Sequence, residues 1–329
     1  MPNNGNFVVG YDAGGSNVRA AVFDPQRRMV AEDKRSLIGD FGGDYPKAVG
    51  DCIEEAIKKA VDGGVPRKAI AAIGGSQAGL IDAGKGTIIF SPNIKQMEGS
   101  DQGVENLPIG PYLQNRFGRL PVWIDNDGNM AAFGVYSLDP NAKGLTDIAY
   151  FIMGSGIGGG AIIDGKTFPR PFEVGHTKVA DAERICGCKA PGCWEGVSSG
   201  TGIERMANRE DYIVRGINSI LRKSGYVKAS DVFEAARKGS IPAANILMEG
   251  YEATARGIAL IITLLMPQAV FIGESVAVNN PEVLAHIKEM VPPLLLPGFL
   301  VPQFYVTEVK DPGLRGAGLY AAHRLSIPT

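Results

Sequence analysis

Residues 7–23 read "FVVGYDAGGSNVRAAVF", and residues 147–164 read "DIAYFIMGSGIGGGAIID". Each is an apolar, β-branched run, a glycine turn with a small hydroxyl residue, and a second apolar run. That grammar spells strand, turn, strand. The copies stand about 140 residues apart. One device used twice predicts a duplicated α/β architecture, each half offering a glycine turn to the space between them. The second copy formally contains G-x-G-x-x-G. A dinucleotide site would need a helix straight after that turn, with its N-terminus on the pyrophosphate. Here "GAIIDG" continues as strand, so the motif predicts a phosphate-facing hairpin instead. "GLIDAGKG" (79–86) approaches a Walker A loop, but Gly86 stands where Ser or Thr is required. With an Asp-Ala-Gly turn inside it, this stretch predicts a β-hairpin.

Working outward, "MVAEDKR" extends the opening hairpin by a third strand. An amphipathic helix is expected over about 44–63, and "AIAAIGGSQAGLID" is a buried strand entering a glycine loop. "LPVWIDNDGNMAAFGVYSL" is a strand, a polar turn and a helix start. After residue 200 helices are predicted at about 201–222, 229–238 and 241–266, then the strands "QAVFIGES" and "FYVTEV" and a final helix. The most apolar stretch, "GIALIITLLMPQAVFIG", is split by Pro267, which leaves it too short to span a bilayer. It reads as a buried helix running into a buried strand.

At 329 residues the chain can hold two cores, and 45% apolar with 21% charged residues is ordinary for a soluble globular protein. A net charge of -2, with no basic run among aromatics, offers nothing to attract nucleic acid. The N-terminus has neither the basic region nor the apolar run of a signal peptide. Four cysteines, three of them clustered, do not make a disulfide framework in a chain of this size; a reducing cytoplasm fits. Cys52, inside the first helical pattern, is expected to be a core thiol.

Three constellations carry chemistry. In Asp12-Ala13-Gly14-Gly15-Ser16-Asn17, glycines let backbone N–H groups approach an anion and Ser16 adds a hydroxyl, although a plain hairpin has the same composition. "IDNDGN" gathers Asp125, Asn126, Asp127 and Asn129 where a helix begins. One carboxylate there is a candidate general base, while Asp and Asn are also ordinary turn and N-cap residues. "FEVGHTKVADAERICGCKAPGCWEG" (172–196) holds His176, Cys186, Cys188 and Cys193, the donor set of a closed tetrahedral Zn²⁺ site. Four protein ligands leave no position for a catalytic water, so such a metal would be structural. Three unrelated thiols in a loop are the alternative.

Together these motifs resemble the ROK family of sugar kinases and sugar-responsive repressors, from about residue 7 to 325. "DAGGSN" is similar to the family's D-x-G-G-T phosphate loop, with Ser16 for threonine, and "IDNDGNMAA" to its E-N-D-A-N segment. "GSGIGGG" is similar to its second loop, G-T-G-I-G-G-G. "FEVGHTKV" and "CGCKAPGCWEG" match its E-x-G-H and cysteine patterns and are the most diagnostic.

The resemblance implies an actin-like, ribonuclease-H-like fold of two α/β domains with a cleft between them. The divisions expected are 1–122 and 123–311, with the terminal helix of 312–329 packing on the first. It implies ATP and Mg²⁺ against Asp12, Gly14, Gly15, Ser16, Asn17, Gly154, Ser155, Gly156 and Gly273. Asp127 aligns with the catalytic base. Asn126, Glu173, His176 and Glu195 align with sugar contacts, as Gly79 and Asn93 do more loosely. His176, Cys186, Cys188 and Cys193 align with zinc ligands. The activity implied is ATP-dependent phosphorylation of a hexose hydroxyl, glucose first, with fructose, mannose, allose and N-acetylated hexosamines as alternatives. A homodimer is expected. Family repressors carry an N-terminal helix-turn-helix, for which the early phosphate-loop strand leaves no room. One departure stands out: Gly273-Glu274 replaces the Gly-Gly usual after the late buried strand, which bears on the phosphoryl donor.

Overall fold

The computed structural model describes residues 5–37, 44–95, 103–118 and 120–327. The first repeat folds as β1 (Phe7–Ala13), β2 (Asn17–Phe23) and β3 (Met29–Ser36). Helix α1 (Tyr45–Asp62) crosses over to β4 (Ile70–Gln77). Asp44 caps α1 by accepting from the Lys47 N–H at 3.0 Å, and one face of the helix buries Val49, Cys52, Ile53, Ala56 and Ile57. A small sheet follows: β5 (Leu80–Asp82), β6 (Thr87–Lys95) and β7 (Gly103–Leu107). Helix α2 (Ile109–Arg116) leads to β8 (Val122–Asn126), whose end starts α3 (Asp127–Leu138). The order in the first large sheet is β3-β2-β1-β4-β8. It therefore runs on to Asn126, past the division expected at residue 122.

The second repeat is built to the same plan. Strands β9 (Ile148–Met153), β10 (Ile157–Ile163) and β11 (Lys166–Thr167) form the meander. The crossover is long and helical: α4 (Glu195–Ser198), α5 (Gly200–Ala207), α6 (Asp211–Leu221), α7 (Ala229–Arg237) and α8 (Ile241–Leu265). Then come β12 (Ala269–Gly273), α9 (Ser275–Val278), α10 (Pro281–Met290), β13 (Gln303–Val306) and α11 (Pro312–Ser326). The order is β11-β10-β9-β12-β13, and each antiparallel and parallel pairing matches its counterpart in the first sheet.

The expected hairpins are present at 9–10 and 5–6, which disposes of both nucleotide-loop look-alikes. The helix expected over 201–222 is two helices. Asn208 leaves the first, and its side chain bonds both the N–H and the carbonyl of Val227. Helix α8 ends before Pro267, with Met266 left-handed at φ 45°. No helix among the described residues is long and apolar enough to cross a membrane. Cys52 is fully buried, and burial pushes its thiol up to about 12.

Helices α3 and α11, the ones that follow the last strand of each repeat, pack on each other. Helix α11 also lies on β1 and β4, and α3 on β9 and β10. These contacts are backbone to backbone. A Cβ on Gly316 of α11 would stand 1.8 Å from the Met130 carbonyl of α3, and one on Gly134 would stand 2.2 Å from the Pro312 carbonyl. Gly128 of α3 would meet the Gly159 carbonyl of β10 at 1.9 Å, and Gly74 of β4 the Ala317 carbonyl of α11 at 1.9 Å. No other residue type fits.

Gly316→Ala should therefore lower the urea unfolding midpoint by an amount corresponding to about 2–3 kcal/mol, as overpacking against rigid backbone does. Gly216→Ala on α6, whose added Cβ would have an ordinary 3.7 Å neighbour, should hold or raise the midpoint because alanine favours helix. Equal midpoints for wild type and Gly316→Ala would show that α3 and α11 are not in backbone contact.

Candidate active site

Parallel strands present their carboxyl ends in a row. Asp12 of β1 is opposite Ser76 of β4, Ser76 opposite Asp125 of β8, and Gln77 opposite Asn126. Ser76 Oγ donates to Asp12 Oδ1 at 2.5 Å. Gln77 Nε2 donates to the Ala13 carbonyl at 3.1 Å and to Tyr45 Oη at 2.6 Å, so the end of β4 braces the first glycine turn. Burial raises the Asp12 carboxyl; the Ser76 bond and Arg19 oppose this, while Asp311 and Glu274 add to it. Asp311 itself pairs with Arg19 and precedes the first turn of α11, where a Cβ on Gly313 would lie 3.2 Å from Asp12 Oδ1. The N-termini of α3 and α11 thus both come to this strand end, which favours anions there.

Asp127 is the first residue of α3. Its neighbours are fixed: Asn126 caps the helix, Oδ1 accepting from Gly128 and Asn129 N–H at 3.0 and 3.4 Å, while Nδ2 donates to the Gly79 carbonyl at 3.0 Å. Gly79, at φ 115°, can carry no side chain, since a Cβ would meet the Phe90 carbonyl at 2.6 Å. Asp125 is buried and accepts from Asn129 Nδ2 at 3.1 Å. Protein walls push the Asp127 carboxyl up to about 7, the Asp12 and then the Glu173 charge adding to the effect and the Gly128 N–H opposing it. Water reaches Asp127 from its exposed side, which limits the rise. Asp12 and Glu173 are thus near enough for their charges to act on Asp127.

Glu173 is raised by burial and by Glu195, against the pull of His176. Glu195 accepts from the Ile157 N–H at 3.0 Å through one oxygen, and Cys186 Sγ lies 3.4 Å from the other. One carboxylate therefore joins the cysteine loop to the second glycine turn. That turn is also held by the Gly200 N–H on the Gly154 carbonyl at 2.8 Å and by Thr201 Oγ1 on the Ser155 carbonyl at 2.6 Å. Gly156 faces Glu195 Oε2, at 2.7 Å from a built Cβ, and Gly273 faces the Tyr150 ring, with its Oη at 2.5 Å. In the first turn Gly14 faces open space and its N–H bonds the Asn17 carbonyl at 3.0 Å; Ser16 and Asn17 are exposed.

The ligand atoms of His176, Cys186, Cys188 and Cys193 lie within 4.8 Å of one another. Cys188 and Cys193 sulfurs are 3.7 Å apart, and Cys186 Sγ is 3.9 Å from His176 Nδ1. Tetrahedral Zn²⁺ with Zn–S of about 2.3 Å requires sulfurs roughly 3.8 Å apart, so the donor set fits that ion. The knuckle is shaped by Lys189 and Gly192 at φ 68° and 70° and by the Cys186 N–H on the Ala190 carbonyl at 3.0 Å. Lys178 Nζ, 2.7 Å from Cys193 Sγ, places a cation beside the thiols.

Asp12, Asp127, Glu173 and Glu195 act on one another, and Glu195 reaches both the second glycine turn and the Cys/His set; no hydrogen bond or ion pair joins Gly14, Gly15, Ser16 or Asn17 to them among the described residues. Asn93 lies on β6, but its side chain lies outside the described residues. Ser76, Gln77, Tyr45 and Asp311 were not anticipated. The signal for the first two was their place at the end of a buried strand; that for Asp311 and Tyr45 is three-dimensional only.

A model of the ROK family matches residues 8–324. A glucokinase of Streptomyces coelicolor is 27% identical over 292 residues, 86% of either chain. A xylose repressor of Caldicellulosiruptor bescii is 27% identical over 83% of this chain and 65% of its own. The solved structure of a ROK family glucokinase from Streptomyces griseus, in complex with glucose and AMPPNP, has a TM-score of 0.73 at 28% identity and covers 97% of this chain and 100% of that one. The paired sheets and the full-length match agree: this chain belongs to the ROK family and has its actin-like, ribonuclease-H-like two-domain fold.

Proposed function

We propose that the chain is an ATP-dependent sugar kinase acting on a hexose hydroxyl, glucose in the first place. The observation that carries this reading is Asp127, a carboxylate raised toward neutrality between Asp12 and Glu173, with both glycine turns tied into the same site. The Streptomyces relatives, a glucokinase and a glucokinase complex with glucose and AMPPNP, point to the same substrates.

In this reading Glu173, His176, Glu195 and the free amide hydrogen of Asn126 bind sugar hydroxyls, with the Gly79 loop beside them. Asp127 accepts the proton of the attacking hydroxyl. A base of this kind works mainly by position. The two glycine turns and the helix N-termini present N–H groups to the donor phosphates, and Asp12 would hold Mg²⁺, which when bound offsets phosphate charge. Closure of the two domains excludes water from the transfer. The Cys/His set would hold Zn²⁺ as a structural ion, which would fix the loop bearing Glu173 and Glu195. A sugar-sensing regulator is the second reading, favoured by the repressor relative; Asp127 beside two intact glycine turns speaks for catalysis.

A coupled ADP-release assay over a panel of hexoses and N-acetylhexosamines tests this. Wild type should turn over glucose best, and Asp127→Ala should lose at least ~10²-fold in kcat while sugar affinity stays within a few-fold. ADP release with no sugar, or near-normal turnover by Asp127→Ala, sinks the reading.

Only ionised Asp127 can take the proton, and burial pushes its carboxyl up to, at most, about 7. The profile of kcat/KM should therefore rise with pH through about 7, roughly tenfold per unit on the acid side, and level off above it. A flat profile from pH 5.5 to 8 would remove Asp127 from the proton transfer.

Stripping the metal with a chelator should loosen the Cys/His knuckle and weaken sugar binding by about tenfold, the low end for residues that orient a site. Calorimetric titration of sugar into metal-free and zinc-loaded protein measures this; identical Kd values would uncouple the knuckle from the sugar.

A further inference from the structure

At the end of β12 the backbone turns through Glu274 at φ 71° and ψ 175°. That region belongs almost wholly to glycine, because a Cβ collides with its own backbone there. Local structure gives no reason for the exception. Glu274 precedes the four-residue α9 without making a side-chain capping bond, and among the described residues no cation pairs with it. Strained non-glycine residues persist where function holds them.

The side chain has a definite place. It runs along the second glycine turn, where a Cβ built on Gly154 would stand 3.5 Å from Cβ and 3.9 Å from Cγ of Glu274. The residue is exposed, and its charge reaches Asp12 at the end of β1 and Tyr150 on β9. Its Cβ and Cγ therefore lie against the second glycine turn, and its charge is felt at Asp12, on the strand that leads into the first.

Resting on the kinase reading, we infer that Glu274 determines donor specificity: its unpaired carboxylate repels a bare polyphosphate between the two glycine turns, so that only a donor whose phosphates carry a divalent cation is accepted. Glycine turns alone do not make this distinction, since backbone N–H groups attract any anion. Specificity of this kind needs a repulsive element, and a carboxylate beside the glycine turn that receives the phosphates supplies one. A cation on the phosphates cancels the repulsion.

The test compares wild type, Glu274→Gln and Glu274→Gly. Glutamine keeps the size of the side chain and removes its charge; glycine removes the backbone strain as well. Zinc-loaded protein is titrated calorimetrically with ATP in chelator-free buffer without Mg²⁺ and in excess Mg²⁺, and with inorganic tripolyphosphate in the Mg²⁺-free buffer as a second probe. At low ionic strength Glu274→Gln should bind metal-free ATP about tenfold more tightly than wild type. The gain should shrink as salt is added, and it should be much smaller with Mg²⁺. Tripolyphosphate should follow metal-free ATP. In turnover the change should fall on the donor's KM at limiting Mg²⁺, not on the KM of the sugar. An unchanged or weaker Kd for metal-free ATP in Glu274→Gln overturns the assignment. So does a gain in Glu274→Gly alone, because the backbone rather than the charge would then be responsible. Wild type that binds MgATP yet phosphorylates no sugar defeats the kinase reading while the binding comparison still decides Glu274. Wild type that binds no MgATP defeats both.

Discussion

The structure depends on how closely two helices approach. Helices α3 and α11 meet with carbonyl oxygens where side chains would normally be, and α3 meets β10 in the same way. Contacts of this kind forfeit side-chain packing in exchange for a fixed separation, since backbone cannot move aside as a rotamer can. Asp127 begins one of these helices, and the first turn of the other lies beside Asp12. The distance between the two carboxylates is thus set by glycines several residues away. The duplication explains the geometry: each repeat ends in a helix after its last strand, and the two equivalent helices pack on each other.

The second theme is concentrated negative charge. Asp12, Asp127, Glu173, Glu195, Glu274 and Asp311 act on one another over a small volume, and Arg19 is tied to Asp311. Burial, with the like charges nearby adding to it, raises the carboxyls of Asp12, Asp127 and Glu173. The same crowding makes anionic ligands unwelcome unless N–H groups or cations meet them. Glycine turns and helix N-termini provide the first of these within the chain itself.

Local features were legible in the sequence. The hairpins were, because a glycine turn between β-branched runs has few other readings. The gathering of His176, Cys186, Cys188 and Cys193 was, because they fall close together in the chain. The α8 boundary was, because Pro267 cannot continue a helix. The break after Ala207 was not: it depends on Asn208 bonding Val227, a partner outside the helical pattern. Strand β7 and helix α2 carry too weak a period to be read. Within the site, Asp127 and Glu173 could be named individually, but their meeting could not, since it requires the α3–β10 approach. Asn126 was read as a ligand residue or a helix cap, and it does cap α3; its bond to Gly79 emerged only in three dimensions. The positive φ at Glu274 is signalled only by the glycine that the resemblance puts at that position.

Glu195 holds the Ile157 N–H with one oxygen and stands against Cys186 with the other. Two loops that approach from different parts of the chain therefore share one rotamer. Whatever orders the cysteine loop is felt at the second glycine turn, and whatever orders that turn is felt at the cysteines by the same free energy, because such linkage is reciprocal. Two ligands bound on either side of this carboxylate would not bind independently, even without touching.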